Sequence, residues 1–278
     1  MSKYILHNQD ILLASNACMS FDNRSFLYGD GFFESIKVIN SRCFNIESHY
    51  DRIINSSKIL KIDWNVSLSN LENLLCSLIE KNNIIGGRLR LVVYRNPGGK
   101  YLPDRNDSSI IASVEQSENK FTLNKEGIRL GLFSEAYKEK NSFSNLKTTN
   151  SIIYVLASIF AQEHNFDDCV LLNSENNIIE TSNSNLFLVK NNCIISPLSS
   201  DGCVDGVMRE YVFDLLSERH EVVQRSINEH DLRSADEVFL TNSISGSLWV
   251  ESYKDKKYST SNIAHWINRS LNLRLSNF

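Results

Sequence analysis

The chain has 278 residues, of which 42% are hydrophobic and 22% charged, with a net charge of −4. These values fit an ordinary globular protein with room for two domains or one large one. No dense Lys/Arg run is present to neutralise a phosphate backbone, so no nucleic-acid partner is expected. The six cysteines are scattered without a CxxC pair, and the histidines form neither HExxH nor a Cys/His cluster. A disulfide framework and a zinc site are therefore not expected, and reduced cysteines suit a cytoplasmic protein. The N-terminus lacks the apolar core of a signal peptide, and no apolar run approaches the roughly 20 residues that span a bilayer.

In chain order, residues 3–7 and 11–14 read as two short strands around Asn8-Gln9-Asp10. Gly29 and Gly31 flank Asp30 and predict a tight turn or a close backbone approach. Phe33 to Val38 begins a strand, and Ile39-Asn40-Ser41-Arg42 reads as a hairpin turn. Residues 47–60 have helical spacing, with Ile53, Ile54 and Leu60 on the apolar side. Within that helix, Arg52 by itself reads as a surface partner of Asp51 or Glu47. Ser67 to Lys81 is a second amphipathic helix that Ser67 or Ser69 could cap.

Arg88 to Arg95 opens with strict alternation, a strand with Arg88 and Arg90 on one face. It runs into Asn96-Pro97-Gly98-Gly99 and Lys100-Tyr101. A strand that delivers arginines to a Gly-rich loop could bind a carboxylate, or could simply be a solvated edge. Ile110 to Val114 is another strand. The polar run from Glu115 to Lys125 marks a boundary, giving an N-terminal α/β domain (1–117), a linker (118–124) and a C-terminal domain (125–278).

Beyond it, 128–133 reads as a strand leading through a polar loop to Lys147. The apolar run 152–157 is helical, and 167–173 is a strand entering a turn. Residues 185–190 and 193–196 form a predicted hairpin across Asn191-Asn192. A helix opens at Gly206-Val207-Met208 and runs to about Arg219. Glycine before a helix start leaves backbone N–H groups that can bind an anion. Residues 221–225 and 237–240 are strands, the second ending in a polar turn at 241–246, and a last helix covers about 261–275. Lys147 as an amine and Glu180 as an acid are candidate functional residues. On spacing alone the better reading is a solvated charge for Lys147 and an ordinary loop residue for Glu180.

Six short motifs then occur in one order: FLYGDGFFES (26–35), HYDRI (49–53), LKTTN (146–150), IETSNSNLF (179–187), DGVMRE (205–210) and FLTNS (239–243). Together they resemble the class IV aminotransferases, the fold-type-IV pyridoxal-phosphate enzymes, from about Tyr4 to Val250. The resemblance implies a two-domain α/β (α+β) fold of the D-amino-acid aminotransferase type, with pyridoxal 5′-phosphate between the domains. It also implies a homodimer whose pockets borrow residues from the neighbour. Carried over by position, it makes Lys147 the Schiff-base lysine and proton shuttle, and Glu180 the partner of the pyridine nitrogen. It gives Arg52, Asn185, Gly206, Val207, Met208, Asn242 and Ser243 to cofactor binding, mainly at the phosphate. Tyr28, Arg88, Arg90, Arg95 and Lys100 are implied at the substrate.

Within the family, branched-chain aminotransferases usually have the lysine four residues before the Asn, with a Tyr next. Here Asn150 follows Lys147 by three, and Ser151 takes the Tyr place. D-amino-acid transaminases carry Arg-x-His after the strand, and no His stands in 95–101. The Asn96 to Tyr101 run and the 241–244 turn look more like 4-amino-4-deoxychorismate lyase. A transaminase of D- or branched-chain amino acids is the alternative, and a non-catalytic ligand-binding homologue the remoter one.

Overall fold

The computed structural model describes residues 2–258 and 261–275. The chain divides into two compact units: residues 1–120 with 146–150, and residues 121–145 with 151–278. The sequence reading draws one boundary near residue 120. The packing also assigns the short segment around Lys147 to the first unit.

The first unit holds β1 (Tyr4–His7), β2 (Asp10–Leu13), α1 (Arg24–Tyr28), β3 (Gly31–Ile39), β4 (Arg42–Cys43), α2 (Ile46–Leu60), α3 (Leu68–Lys81), β5 (Gly87–Arg95) and β6 (Ser108–Gln116). Its six strands form an antiparallel sheet in the order β2-β1-β6-β5-β3-β4. Period-2 alternation buries Ile36 and Val38, Leu89, Leu91 and Val93, and Ile110, Ala112 and Val114 on one face. Ile53 of α2 and Leu71, Leu75 and Leu78 of α3 pack into the same core. Each of these side chains contributes about 1.5–3 kcal/mol by leaving water. Ser67 caps α3 by accepting from the N–H of Asn70. Asn40 and Ser41 both adopt positive φ, the conformation a two-residue hairpin needs. The five-residue α1 was not foreseen; Asn23 caps it by accepting from the N–H of Phe26.

The second unit holds β7 (Ile128–Lys138), α4 (Ile152–Glu163), β8 (Asp168–Asn173), β9 (Ile178–Thr181), β10 (Asn185–Lys190), β11 (Cys193–Ser196), α5 (Val207–Ser217), β12 (Glu221–Gln224), α6 (Glu229–Ser234), β13 (Glu237–Asn242), β14 (Gly246–Tyr253), β15 (Lys256–Lys257) and α7 (Asn262–Arg274). The main path is β12-β11-β10-β13-β14-β7-β8-β9, with β15 beside β14. β7 pairs parallel with both β14 and β8, whereas β10 is antiparallel to both neighbours. Asn191 and Asn192 take positive φ in the β10–β11 hairpin, as their residue types predict. β7 extends five residues past Phe133, where apolar alternation stops, and this extension brings Lys138 to the end of β8. Among the described residues no helix is long and apolar enough to cross a membrane.

Candidate active site

In the first unit, residues 147–149 lie antiparallel along the start of β3. The N–H of Phe33 donates to the carbonyl of Lys147 and that of Thr149 to the carbonyl of Gly31, both at 2.9 Å. The Thr149 hydroxyl also donates to the Gly29 carbonyl at 2.8 Å. This register puts Lys147 and Phe33 on one face. Nζ lies 4.4 Å from the Phe33 ring centre, and the Arg90 guanidinium approaches that ring to 4.0 Å. Both glycines of the Gly-Asp-Gly turn are sterically required. Gly29 has φ 66, and a Cβ on Gly31 would stand 2.6 Å from the Val93 carbonyl.

Arg52, on α2, faces the sheet. Its Nε donates to Glu34 Oε1 at 2.8 Å and Nη2 donates to Oε2, a two-pronged pair. His49, one turn earlier, donates through Nδ1 to Oε2 at 2.6 Å, which fixes the tautomer because an ionised carboxylate only accepts. Burial would raise the Glu34 carboxyl, but Arg52 and His49 outweigh it and hold it down to about 2. Burial pushes His49 below the usual imidazole range, and the neighbouring Arg52 and Lys147 charges act the same way against the pull of Glu34.

Asp30 accepts from Arg24 Nε at 2.8 Å and from Arg95 Nε at 2.9 Å. Burial opposes its ionisation, yet the two arginines hold it below the usual carboxylate range. Arg24 Nη1 reaches on to the carbonyls of Gly98 (2.9 Å) and Lys100 (2.6 Å), and its guanidinium stacks on Tyr28. The Tyr28 and Tyr101 rings are 5.6 Å apart. Arg24, Tyr28, Tyr101 and Thr148 help line a cavity of about 300 Å³. Arg95 is buried, and four of its five N–H groups serve Asp30, the carbonyls of Leu60 and Lys61, and Asn106. That engagement makes it a brace of the loop and leaves little of it for a substrate. Arg88 and Arg90 share an exposed strand face, as alternation predicts, but only Arg90 meets the Phe33 ring under Lys147.

In the second unit, Glu180 is a buried strand residue of β9, not a loop residue. Its Oε1 accepts from Lys138 Nζ at 2.6 Å and from the Tyr154 hydroxyl at 2.9 Å, and its Oε2 from the N–H of Val204 at 2.9 Å. Burial and the adjacent Glu180 charge raise the Tyr154 phenol well above its ordinary value. Nearby, α5 starts at Gly206 with no side-chain cap, so the N–H groups of Val207 and Met208 lack intrahelical partners. A Cβ on Gly206 would fall 1.9 Å from Asn185 Oδ1, while Asn185 Nδ2 donates to the carbonyl of Val204. Asn242 folds its own turn: Oδ1 accepts from the N–H groups of Ile244 and Ser245, and Nδ2 donates to Ser184 Oγ. Ser243 follows it in that turn. A buried carboxylate with acceptor capacity and an uncapped helix start suit, respectively, a protonated ring nitrogen and a phosphate.

Residues 31–253 match the family model described as amino-transferase class IV. The chain belongs to the class IV aminotransferase family. An aminodeoxychorismate lyase of Vibrio harveyi is 30% identical over 231 residues, covering 81% of this chain and 83% of the relative. A D-alanine aminotransferase of Staphylococcus aureus is 25% identical over 251 residues, covering 87% and 85%. The crystal structure of a branched-chain aminotransferase from Thermoproteus uzoniensis shares the fold. It has a TM-score of 0.91 at 20% identity and covers 100% of this chain and 96% of that one.

As a class IV aminotransferase family enzyme, the chain carries its predicted site residues in two groups. Lys147 and Arg90 meet at the ring of Phe33 in the first unit; Glu180 lies in the second, where Asn185 abuts Gly206 at the start of α5. Sequence reasoning missed Glu34, His49, Asp30, Arg24, Lys138 and Tyr154. A faint signal existed for Tyr154, the one hydroxyl-bearing ring in an apolar helical run. Lys138 had none, because the strand bearing it turns polar after Phe133.

Proposed function

We propose that this class IV aminotransferase family enzyme binds pyridoxal 5′-phosphate and acts as 4-amino-4-deoxychorismate lyase, releasing 4-aminobenzoate and pyruvate. The observation that carries the lyase reading is the 95–101 loop. Gly98 and Gly99 take φ of 129 and 70, Arg24 holds the backbone carbonyls of Gly98 and Lys100, and the run contains no histidine. Lys100 and Tyr101 thus stand on a pinned glycine turn where the D-amino-acid branch has Arg-x-His. The lyase relative at 30% identity supports the same branch.

The cofactor, when bound, supplies a ring that withdraws electrons from the carbon bearing the substrate nitrogen. Lys147 would carry the cofactor and would take the proton from that carbon. Glu180 would serve the ring nitrogen; Arg52 and the α5 N–H groups of Val207 and Met208 would be the phosphate ligands, with Asn242 and Ser243 in support. Lys100 and Arg90 meet the two carboxylates of the substrate. Loss of that proton with cleavage of the enolpyruvyl C–O bond yields aromatic 4-aminobenzoate, and the enol leaves as pyruvate. Aromatisation favours the products, so the residues chiefly position groups. A homodimer is part of the proposal, supported by the exposed Phe21, Phe26, Tyr101 and Leu102 of the first unit.

The second reading is a transaminase, favoured by the D-alanine aminotransferase relative. Incubation with aminodeoxychorismate, assayed for 4-aminobenzoate and pyruvate, separates the two. Conversion of amino acids to oxo acids with neither product formed rejects the lyase.

A further inference from the structure

Lys138 is a lysine whose side chain is 11% exposed, with its ammonium 2.6 Å from a carboxylate that is 4% exposed. Nothing in the proposed reaction uses it. Tyr154 donates to the same oxygen, and Lys138 Nζ also lies 5.5 Å from the Tyr154 ring centre. The three side chains come from β7, α4 and β9, so the cluster is assembled by tertiary structure and not by one local turn. A carboxylate has roughly four acceptor positions. Among the described residues Lys138 and Tyr154 fill both on Oε1, and the Val204 N–H fills one on Oε2. The position left is on Oε2, so the arrangement selects which oxygen of Glu180 can take a further donor.

The electrostatics add a second consequence. A buried carboxylate alone is costly and tends to neutralise by taking a proton. Lys138 cancels that charge before any ligand arrives, and its own positive charge then opposes a second cation beside the same carboxylate. We propose that Lys138 is a resident counter-ion of Glu180, with Tyr154 as its aligning partner, and that it moderates the hold of Glu180 on the proton of the cofactor's ring nitrogen. The proposal rests on the reading of Glu180 as the ring-nitrogen partner. In it Lys138 and Tyr154 are positioning residues, acting on the cofactor through Glu180.

The test uses the full chain loaded with pyridoxal 5′-phosphate, comparing wild type with Lys138→Met, Lys138→Gln, Lys138→Arg and Tyr154→Phe. The first readout is the pH midpoint of the nitrogen NMR signal of bound cofactor isotope-labelled at its ring nitrogen. Removing the positive charge should raise it by about one unit in Lys138→Met and Lys138→Gln, a tenfold change in proton affinity. Lys138→Arg should restore the wild-type midpoint, and Tyr154→Phe should shift it less. The second readout is the melting shift on cofactor addition. It should be larger in Lys138→Met than in wild type, because the cofactor's ring cation then replaces the missing counter-ion. An unchanged midpoint in both neutral variants, with melting lowered equally with and without cofactor, means a structural pair only and overturns the proposal. Should Lys138→Met fail to fold, Lys138→Gln, which keeps a donor, decides by the same midpoint. A wild-type protein that binds no pyridoxal phosphate overturns the functional reading first, and this proposal with it.

Discussion

Arg52 grips Glu34 across 18 positions of sequence, Nε to Oε1 at 2.8 Å and Nη2 to Oε2, in the interior of the first unit. The pair joins α2 to β3 and sets the plane of the guanidinium proposed to bind phosphate. His49 supports the same carboxylate. Removing one partner of a buried pair leaves the other uncompensated, so Glu34→Gln should destabilise the fold by roughly 3–5 kcal/mol. The sign of its pH dependence follows from the depressed carboxyl, about 2 when folded against an ordinary 4.5. Its contribution is complete above about 4.5 and is lost as pH falls towards about 2. His49, kept neutral mainly by burial, acts in the same direction, because the unfolded chain takes up its proton more readily on acidification. Urea unfolding should show a gap between wild type and Glu34→Gln that is widest near neutral pH and closes in acid. A constant gap from pH 7 to 3 would contradict the assignment.

Gly206→Ala isolates a steric requirement. Gly206 has φ −75, which alanine adopts freely, so backbone strain is not at issue. The added Cβ would instead fall 1.9 Å from Asn185 Oδ1, on a buried side chain already tied to the Val204 carbonyl. Overpacking of this kind costs about 1–3 kcal/mol. It also displaces the start of α5, so cofactor affinity should drop roughly tenfold if the Val207 and Met208 N–H groups bind the phosphate. Titration of the cofactor-free variant with pyridoxal phosphate measures this. Wild-type affinity would remove α5 from the phosphate site.

Much of this was legible in the sequence where local pattern and burial coincide. The helix at 46–60, the helix capped by Ser67 and the Asn191-Asn192 hairpin follow from periodicity and turn chemistry. Partners distant in sequence were not legible. Asp51 and Glu47 neighbour Arg52 along α2, yet both are exposed, whereas Arg52 turns inward to Glu34 on β3. Asp30 read as a turn residue, but its role as a tie between Arg24 and Arg95 depends on β5 lying beside β3. Tyr154 stands among Ile152, Val155 and Leu156, which are exposed, so apolar character alone misjudges the orientation of α4.

Lys147→Ala should leave the fold intact. The backbone bonds of residues 147–149 to β3 involve no Lys147 side-chain atom, and the apolar core of the first unit is built from other residues. The variant should melt within a few degrees of wild type, since losses away from core features stay near ±0.5 kcal/mol. Borohydride should fix the cofactor onto wild type at Lys147 and not onto the variant, as read by peptide mass. Covalent labelling of another lysine in wild type would displace Lys147 from its proposed role.

Arg24 ties the Gly-Asp-Gly turn to the loop that carries Lys100 and Tyr101. One guanidinium serves Asp30 and two backbone carbonyls and also stacks on Tyr28. A lysine keeps the charge but cannot present the planar fork that reaches all three acceptors. Arg24→Lys should therefore loosen the 98–101 turn without touching Lys147 or Glu180. Each charge-assisted hydrogen bond lost is worth roughly 1.5–3 kcal/mol, so KM for a dicarboxylate substrate should rise about tenfold or more. The turnover number should stay within about twofold, because the proton-transferring lysine is unchanged. Asp30→Asn should move KM the same way by a smaller factor, since it weakens the hold on Arg24 but keeps the Arg24 contacts to the Gly98 and Lys100 carbonyls. Steady-state kinetics on the two variants checks both. A fall in turnover at unchanged KM would mean that the loop acts on the chemical step and does not select the substrate.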